Sequence, residues 1–555
     1  MNLEKELKKI IKGEVDISKS TLEEHSTDAS IFKVKPKVVV FPKDVEDVKE
    51  VINFVKNNKD KDVNLSVTFR SAGTDMTGGP LNESIILNFT KYINKIDEVF
   101  QNKETAFIKA QPGAYYRDFE KKTLKQGYLM PSFPASKDIC AMGGIVSNNS
   151  GGEKTLKYGK TEKYVKEVKM VLSDGNEYEF RPLSKQQLEK KINQNDFEGN
   201  IYKNTFSLVK ENYDLLQSVK PKVSKNSAGY SLWNIWNKES DIFDLTQLFV
   251  GSQGTLGALT EAKFELVKPK EHKKLLVIFM KDINSLSSLI NKVLLFEPES
   301  FESYDDKTLK LVLKYFFSFV KMLGIKNLIK LLWSFRPEAK MTLKIGFPKL
   351  ILLAEFTGDT EDEVIEKAKE AQKSIKNFKG IKTHLVKSEL EAKKYWTIRR
   401  ETFNLIRHHL KGDIRSEPFI EDVIVSPDKL PEFFPALYKI LDSYKDKMTY
   451  ALGGHAGDGN IHIYSLMNPK DKDTKNIIKE CSEKVYDLVL RLGGSITAEH
   501  SDGLIRSPYL EKMYGKEVVE LFQKIKQIFD PKNIFNPGKK TNSDFEYSLN
   551  HLKDN

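Results

Sequence analysis

Short apolar runs and helical spacings alternate along the first half of the chain. Val38 to Phe41, VVVF, is uniformly apolar and stops at Pro42, the pattern of a buried strand. Val45, Val48, Ile52 and Val55 then recur at helical spacing. Asp44 suits the N-cap, and Glu46 and Asp47 put negative charge in the first turn. Val67 to Phe69 and Ser84 to Phe89 predict two further strands. Val165 to Leu172, a turn at Asp174 and Gly175, and Glu177 to Phe180 predict a hairpin. Between them lie a turn and helix, QPGAYYRDFEKKTLKQGY, and a long glycine-rich loop from Pro134 to Gly152. From about Glu271 the texture changes. Strand-like runs (Leu275 to Phe279, Leu350 to Phe356) alternate with amphipathic helices (Ser285 to Leu295, Glu361 to Lys376), which predicts a second domain on an antiparallel sheet. Near the end, FDPKNIFNPGK (Phe529 to Lys539) is kept out of helix by Pro531 and Pro537 and is expected to dock as a tail.

The 555 residues exceed one hydrophobic core, so two or more domains are expected. The two cysteines, Cys140 and Cys481, rule out a disulfide scaffold and any cysteine-ligated cluster, and fit a reducing, cytoplasmic compartment. Met1 to Ile11 is a charged helix-like stretch without an apolar signal core, and no run reaches the length of a membrane span. The formal net charge of +11 comes from lysines spread along the whole chain, which reads as a solvated surface or as one that favours anionic membranes or substrates. No zinc-finger, helix-turn-helix or RNP pattern points to nucleic acid.

Several motifs carry chemistry. RSAGTDMTGG, Arg70 to Gly79, follows a strand, and its small residues let successive N–H groups approach an anion. It matches neither GxGxxG nor GxxxxGK[ST]. The stretch from Pro134 to Gly159 holds Gly143, Gly144, Gly151 and Gly152 among Ser147, Asn148, Asn149 and Ser150, suited to wrapping a dinucleotide. GSQGTLG, Gly251 to Gly257, is a glycine-punctuated turn feeding a strand. GGHAGDGNIHIYS places His455 and His462 on either side of a tight turn, as a metal ligand pair requires. SITAEHSDGLIR adds Glu499 as a third ligand and His500 as a general base near neutral pH. In YWTIRRETF, Arg399 and Arg400 sit mid-helix between aromatics, and either suits a carboxylate clamp.

In this order, RSAGT, GGIVSNNSGG, GSQGTLG, GGHAGDGNIH, AEH and FDPKNIFNPGK, the motifs resemble the FAD-linked oxidase superfamily over His25 to Lys539. The branch is that of D-lactate dehydrogenase, D-2-hydroxyglutarate dehydrogenase and the FAD-linked component of glycolate oxidase. The resemblance implies an α+β chain with a two-part PCMH-type FAD-binding domain over 34–268. It also implies an α+β cap domain with an antiparallel sheet over 269–498. A helical segment, 1–33, precedes these, and 499–555 returns to the FAD site. It implies that Ser71, Gly73 and Thr74 meet the pyrophosphate. Pro134, Gly143, Gly144, Ser147, Asn148, Gly151, Gly152, Gly254, Thr255, Gly257 and Asn536 would line the rest of the cofactor. Many relatives tether FAD through a histidine in the first loop; Asp75 lies near that place, so FAD is expected to be non-covalent. By the same resemblance His455, His462 and Glu499 hold zinc or manganese, His500 is the catalytic base and Arg399 binds the substrate carboxylate.

The implied reaction is oxidation of a small D-2-hydroxy acid to the 2-oxo acid, with hydride passing to the flavin. The electrons then go to a quinone, flavoprotein, cytochrome or oxygen. Two alternatives are an alkylglycerone-phosphate synthase-like transferase, whose branch carries a histidine run where this chain has Glu499 and His500, and a flavin-binding protein that only relays electrons. The chain departs from the family pattern at three places: Ser501 and Asp502 where EHG is usual, Gln253 where GSEGTLG is usual, and Arg506 where lysine is common. Residues 305–345 form an apolar, basic insertion. Its Leu309 to Phe335 stretch has no acidic residue. It reads either as buried cap-domain helices or as a peripheral contact with the inner face of a membrane.

Overall fold

The computed structural model describes residues 2–314, 346–409 and 412–553. The apolar basic insertion lies largely outside the described residues. No helix among those described is long and apolar enough to cross a membrane.

The N-terminal part is built on two sheets. In the first, Val38–Phe41, Ile85–Asn88 and Val67–Arg70 run parallel, with Glu14–Asp16 antiparallel on the outer edge. The helix Val45–Asn58 begins where Asp44 accepts a hydrogen bond from the Asp47 N–H. It buries Val48, Val51, Ile52 and Val55 against Val38, Val40, Val67, Ile85 and Leu87 on one face, while Val39 and Ile86 are buried on the other, so these strands are apolar on both faces. The second sheet is antiparallel, ordered Phe100–Asn102, Thr105–Ala110, Ala258–Leu266, Val165–Val171, Glu177–Phe180. The hairpin turns at Gly175, whose φ of 92° a side chain would resist.

Residues 134–152 are not loop throughout. A short helix, Met142–Ser147, interrupts them. Met142, Ile145 and Val146 sit at i, i+3 and i+4 and are buried in the core. Gly143 permits the close packing: a Cβ there would lie 2.5 Å from Ser71 Oγ and 2.6 Å from Pro112 Cβ.

The C-terminal part centres on an eight-stranded antiparallel sheet. Its order is Ile381–Leu385, His272–Met280, Leu350–Gly358, Ser300–Asp305, Met448–His455, Asn460–Met467, Arg415–Ser416, and Val423–Ile424 also pairs with Asn460–Met467. The helices Leu286–Leu294 and Glu361–Ser374 bury apolar stripes beneath it. All six residues of Ser300–Asp305 are buried although Glu302 and Asp305 are acidic, which marks the sheet's centre as more than packing. After the helix Lys516–Phe529, the Pro-containing tail returns to the first sheet. The Val67 N–H donates to Ile534 O at 2.8 Å and the Asn536 N–H to Val67 O at 2.9 Å.

Candidate functional site

The glycine loops meet at the C-terminal end of the parallel strands. Gly73 has φ 69°, and a Cβ there would lie 2.2 Å from an Arg70 guanidinium nitrogen. Arg70 is buried. Its Nη2 donates to Thr27 O at 2.8 Å, while Nη1 is buried without a partner among the described residues. A buried guanidinium nitrogen left open beside a glycine turn is of the kind that suits a phosphate oxygen. Ser71 Oγ donates to Pro112 O at 2.9 Å. Gly144 faces open space, with nothing within 4 Å of where a Cβ would stand. Gly152 packs on the backbone at Phe133 and Pro134, 2.1 Å from Phe133 O to a would-be Cβ. Gly254 has φ 67°, Gly257 lies against Leu172, and the Thr255 hydroxyl shares a 2.6 Å hydrogen bond with Tyr230. The open space at Gly144 and the unpartnered Arg70 Nη1 fit a dinucleotide, while Gly152, Gly254 and Gly257 let the loops pack closely on the protein itself. Asn536 is used differently: it accepts from Thr68 and donates to Gly79 O and Gln253 O, so it staples the tail to two loops and keeps no amide N–H for a ligand.

Asp75, near the place where many relatives tether FAD, and Gln253, one of the departures from the family pattern, touch each other. One Asp75 oxygen accepts from the Thr77 N–H and hydroxyl, each at 2.6 Å, and from the Gly79 N–H at 3.2 Å. The other accepts from Asn148 Nδ2 at 2.7 Å and Gln253 Nε2 at 3.5 Å. Gln253 Oε1 in turn accepts the Gly503 N–H at 2.8 Å. A glutamate at 253 would lose the donor and face the Asp75 carboxylate as a like charge. Gln253→Glu is therefore expected to lower the flavin-to-protein ratio after gel filtration, and Asp75→Asn in the same chain to restore it. Full flavin in the single variant would refute this coupling.

The second half of the site is a buried cluster of charges. His455, His462 and Glu499 each offer a ligand atom within 4.8 Å of the others. The strand Met448–His455 pairs with Ser300–Asp305, which brings Glu302 Oε1 2.6 Å from His455 Nδ1. His462 Nδ1 lies 3.1 Å from Glu421 O. Both rings thus have Nδ1 occupied, the usual second contact of a metal-binding histidine. One Glu499 oxygen receives Lys225 Nζ at 2.7 Å, and the other lies 3.5 Å from His455 Nε2. Two imidazoles and a carboxylate in this arrangement fit a divalent cation. A Cβ on Gly151 would stand 2.9 Å from Glu499 Oε1, so the cofactor loop and this cluster adjoin.

His500 stacks on His462 with ring centres 5.5 Å apart. It keeps 23% of its side-chain surface exposed, against 9% or less for His455, His462 and Glu499, so it is the member best placed to meet a substrate. Its Nδ1 lies 2.8 Å from both oxygens of Glu421. Burial lowers the His500 pKa, but Glu421 and Asp422 outweigh burial and raise it to about 10. His455 is likewise pulled down by burial and raised by Glu302, to about 9. Glu302, penalised by burial, is held at about 2 by His455 and Arg399.

Arg399 lies on the helix Glu389–His409 and donates from Nε to Glu302 at 2.9 Å, so part of its fork is committed before any substrate arrives. Arg400 is engaged elsewhere. It binds Glu153 through two nitrogens at 2.9 and 2.6 Å and lies over Trp396, tying the cap helix to the cofactor loop. Ser501 adopts φ 65°, which costs a non-glycine residue about 1 kcal/mol or more. Its hydroxyl bonds Ser227 O, and Asp502 binds the Gly229 N–H and Lys540. Neither side chain turns toward His500.

Sequence reasoning missed Glu302, Glu421, Asp422 and Lys225, and marked Arg506 only as a departure from the family pattern. A local sign existed for two of them: the apolar run FIEDVIV, 419–425, carries adjacent acids that only a buried role explains.

Residues 36–181 match the family described as "FAD binding domain", and 269–540 match "FAD linked oxidases, C-terminal domain". The chain belongs to the FAD-linked oxidases. It is 26% identical to D-2-hydroxyglutarate dehydrogenase of Pseudomonas putida over 95% of this chain and 50% of that protein. It is 26% identical to glycolate oxidase subunit GlcD of Bacillus subtilis over 92% of this chain and 89% of the relative. The D-lactate dehydrogenase of Anaerostipes hadrus is also 26% identical, over 93% and 91%. The chain spans about half the length of the D-2-hydroxyglutarate dehydrogenases from Pseudomonas putida, Escherichia coli and Pantoea ananatis. Among solved structures, 4-ethylphenol oxidase from Gulosibacter chungangensis superposes with a TM-score of 0.65 at 14% identity, over 96% of this chain and 95% of the other. p-Cresol methylhydroxylase gives 0.64 at 13%, over 95% and 94%. These two likenesses establish the PCMH-type fold.

Proposed function

We propose that this chain oxidises a small D-2-hydroxy acid to its 2-oxo acid, with non-covalent FAD and a divalent cation, zinc or manganese. The observation that carries the reading is the convergence of His455, His462, Glu499, His500 and Arg399 beside the loop at Gly151. When bound, FAD supplies an acceptor for the two electrons and the hydrogen that leave carbon 2. The cation, held by His455, His462 and Glu499, supplies Lewis acidity toward the substrate oxygens.

The protein's own residues do the rest. Arg399 pairs with the substrate carboxylate through the part of its fork not engaged by Glu302 or Tyr464. With a divalent cation held by His455, His462 and Glu499, its positive charge would offset Glu421 and Asp422 and favour the neutral ring, and His500 then accepts the hydroxyl proton at Nε2, because Nδ1 is held by Glu421. Glu421, whose charge raises the His500 pKa, stabilises the imidazolium that this proton creates. Loss of the O–H proton and of hydrogen with its electron pair from carbon 2 leaves the 2-oxo acid. The electrons then pass to a quinone, flavoprotein, cytochrome or oxygen.

Anaerobic addition of D-2-hydroxyglutarate, D-lactate or glycolate to the flavin-loaded protein tests this. At least one is expected to bleach the flavin band, and prior chelation to slow the bleaching. A metal-loaded protein that none of the three bleaches would overturn the assignment.

A further inference from the structure

Glu421 is buried and lies outside every motif that the sequence singles out. Its backbone is fixed by the strand that carries His462: the Ile463 N–H donates to Glu421 O at 3.2 Å, and Val423 pairs with Ile461. The neighbouring Asp422 fixes the loop that carries His500. One Asp422 oxygen accepts from the Thr497 hydroxyl and from the N–H groups of Ala498, Glu499 and His500, at 2.8–3.0 Å. Adjacent residues thus hold the backbone and the ring of the same histidine.

Arg506 completes the arrangement. Fully buried, it donates from Nη2 to Glu421 Oε1 at 2.6 Å and from Nη1 to Ser501 O at 3.1 Å. It therefore anchors both the carboxylate and the backbone that follows His500. A buried ion pair of this kind contributes little net stability over an apolar pair of the same size, because desolvating both charges offsets their attraction. Packing alone does not account for it. What the pair achieves is a carboxylate that cannot rotate away from the imidazole.

We infer that Glu421, anchored by Arg506, is the positioning residue for His500, holding the ring by Nδ1 so that Nε2 faces the substrate. This rests on the reading of His500 as proton acceptor. Its oriented, charged partner is expected to matter for the proton-transfer step and not for substrate binding.

The test uses the flavin- and metal-loaded full chain, with flavin and metal content measured for each variant. Glu421→Gln keeps the shape and an acceptor but loses the charge. Its anaerobic rate of flavin bleaching at saturating substrate is expected to fall about 100-fold or more, within the range for a displaced general base. The half-saturating substrate concentration is expected to change less than about threefold, since binding is untouched. Glu421→Asp, charged but one methylene short, is expected to recover part of the rate, and Arg506→Lys most of it. Proton NMR gives a readout independent of turnover. The wild type should show a strongly deshielded ring N–H resonance that is absent in His500→Asn and moves upfield in Glu421→Gln.

A fully loaded Glu421→Gln variant that bleaches at the wild-type rate overturns the inference, as does a fall confined to substrate affinity. If Glu421→Gln fails to fold, Glu421→Asp decides: wild-type rate with an unchanged ring resonance is the overturning result. If no 2-hydroxy acid bleaches the wild type, the functional reading fails by itself, and the NMR signal still decides whether Glu421 holds His500.

Discussion

Replacing His500 by asparagine is expected to slow anaerobic flavin bleaching by about 10²–10⁴-fold, the range for loss of a positioned acid–base group, while FAD and metal remain bound. The cofactor should stay because no cofactor loop is held through the His500 side chain, which meets Glu421 and the stacked ring of His462. The loop itself should stay because Asp422 holds it by backbone N–H groups that the substitution leaves in place. The metal should stay because His455, His462 and Glu499 are unchanged. Stopped-flow absorbance at the flavin band, with flavin and metal stoichiometry measured in parallel, separates these effects. Unchanged bleaching would remove His500 from the chemistry. Loss of metal together with rate would make His500 a ligand and not a base.

The glycine loops and both histidine motifs are legible in the sequence because each is local. Small residues at a strand end, and two histidines across a tight turn, are patterns of a few positions. The charges that tune them are not local. His455 meets Glu302 across 153 residues, and Glu499 meets Lys225 across 274. No spacing rule encodes such contacts: the pairing of Ser300–Asp305 with Met448–His455 creates the first, and the second joins two segments that lie outside the cap sheet. Arg399 shows the cost. As a sequence it reads as a clamp waiting for a carboxylate, but the fold supplies it with Glu302 first. The helix Met142–Ser147 is hidden for the opposite reason. Its glycines and serines suggest loop, yet Met142, Ile145 and Val146 already carry the helical spacing. Ser501 and Asp502, the departure nearest the proposed base, turn toward Ser227, Gly229 and Lys540, so their proximity in sequence does not make them part of its surroundings.

Lys225→Met is expected to lower stability by about 3–5 kcal/mol, the cost of breaking one side of a buried ion pair, and to tighten divalent-metal binding. Lys225 is fully buried, with its ammonium 2.7 Å from Glu499 and 3.0 Å from Asp458. Burial alone would favour the neutral amine, but the two carboxylates more than reverse this and hold it charged. Removing the cation leaves two buried carboxylates short of a partner, which is why the loss is large. The same deletion removes a positive charge from beside the proposed cation site. Unit charges about 4 Å apart interact by about 4 kcal/mol at an effective dielectric near 20, so a tenfold gain in affinity, about 1.4 kcal/mol, is a conservative expectation. Metal at about 100 times its Kd for the variant then returns about 2.7 kcal/mol, against about 1.4 kcal/mol for a wild type that binds it tenfold more weakly, so the gap between them narrows by about 1.3 kcal/mol. Titration of the chelated protein with zinc or manganese, followed by thermal unfolding with and without metal, measures both effects. If Lys225→Met binds metal no more tightly than the wild type, the ammonium is not opposing a cation at Glu499, and the ligand set His455, His462 and Glu499 loses its main electrostatic support.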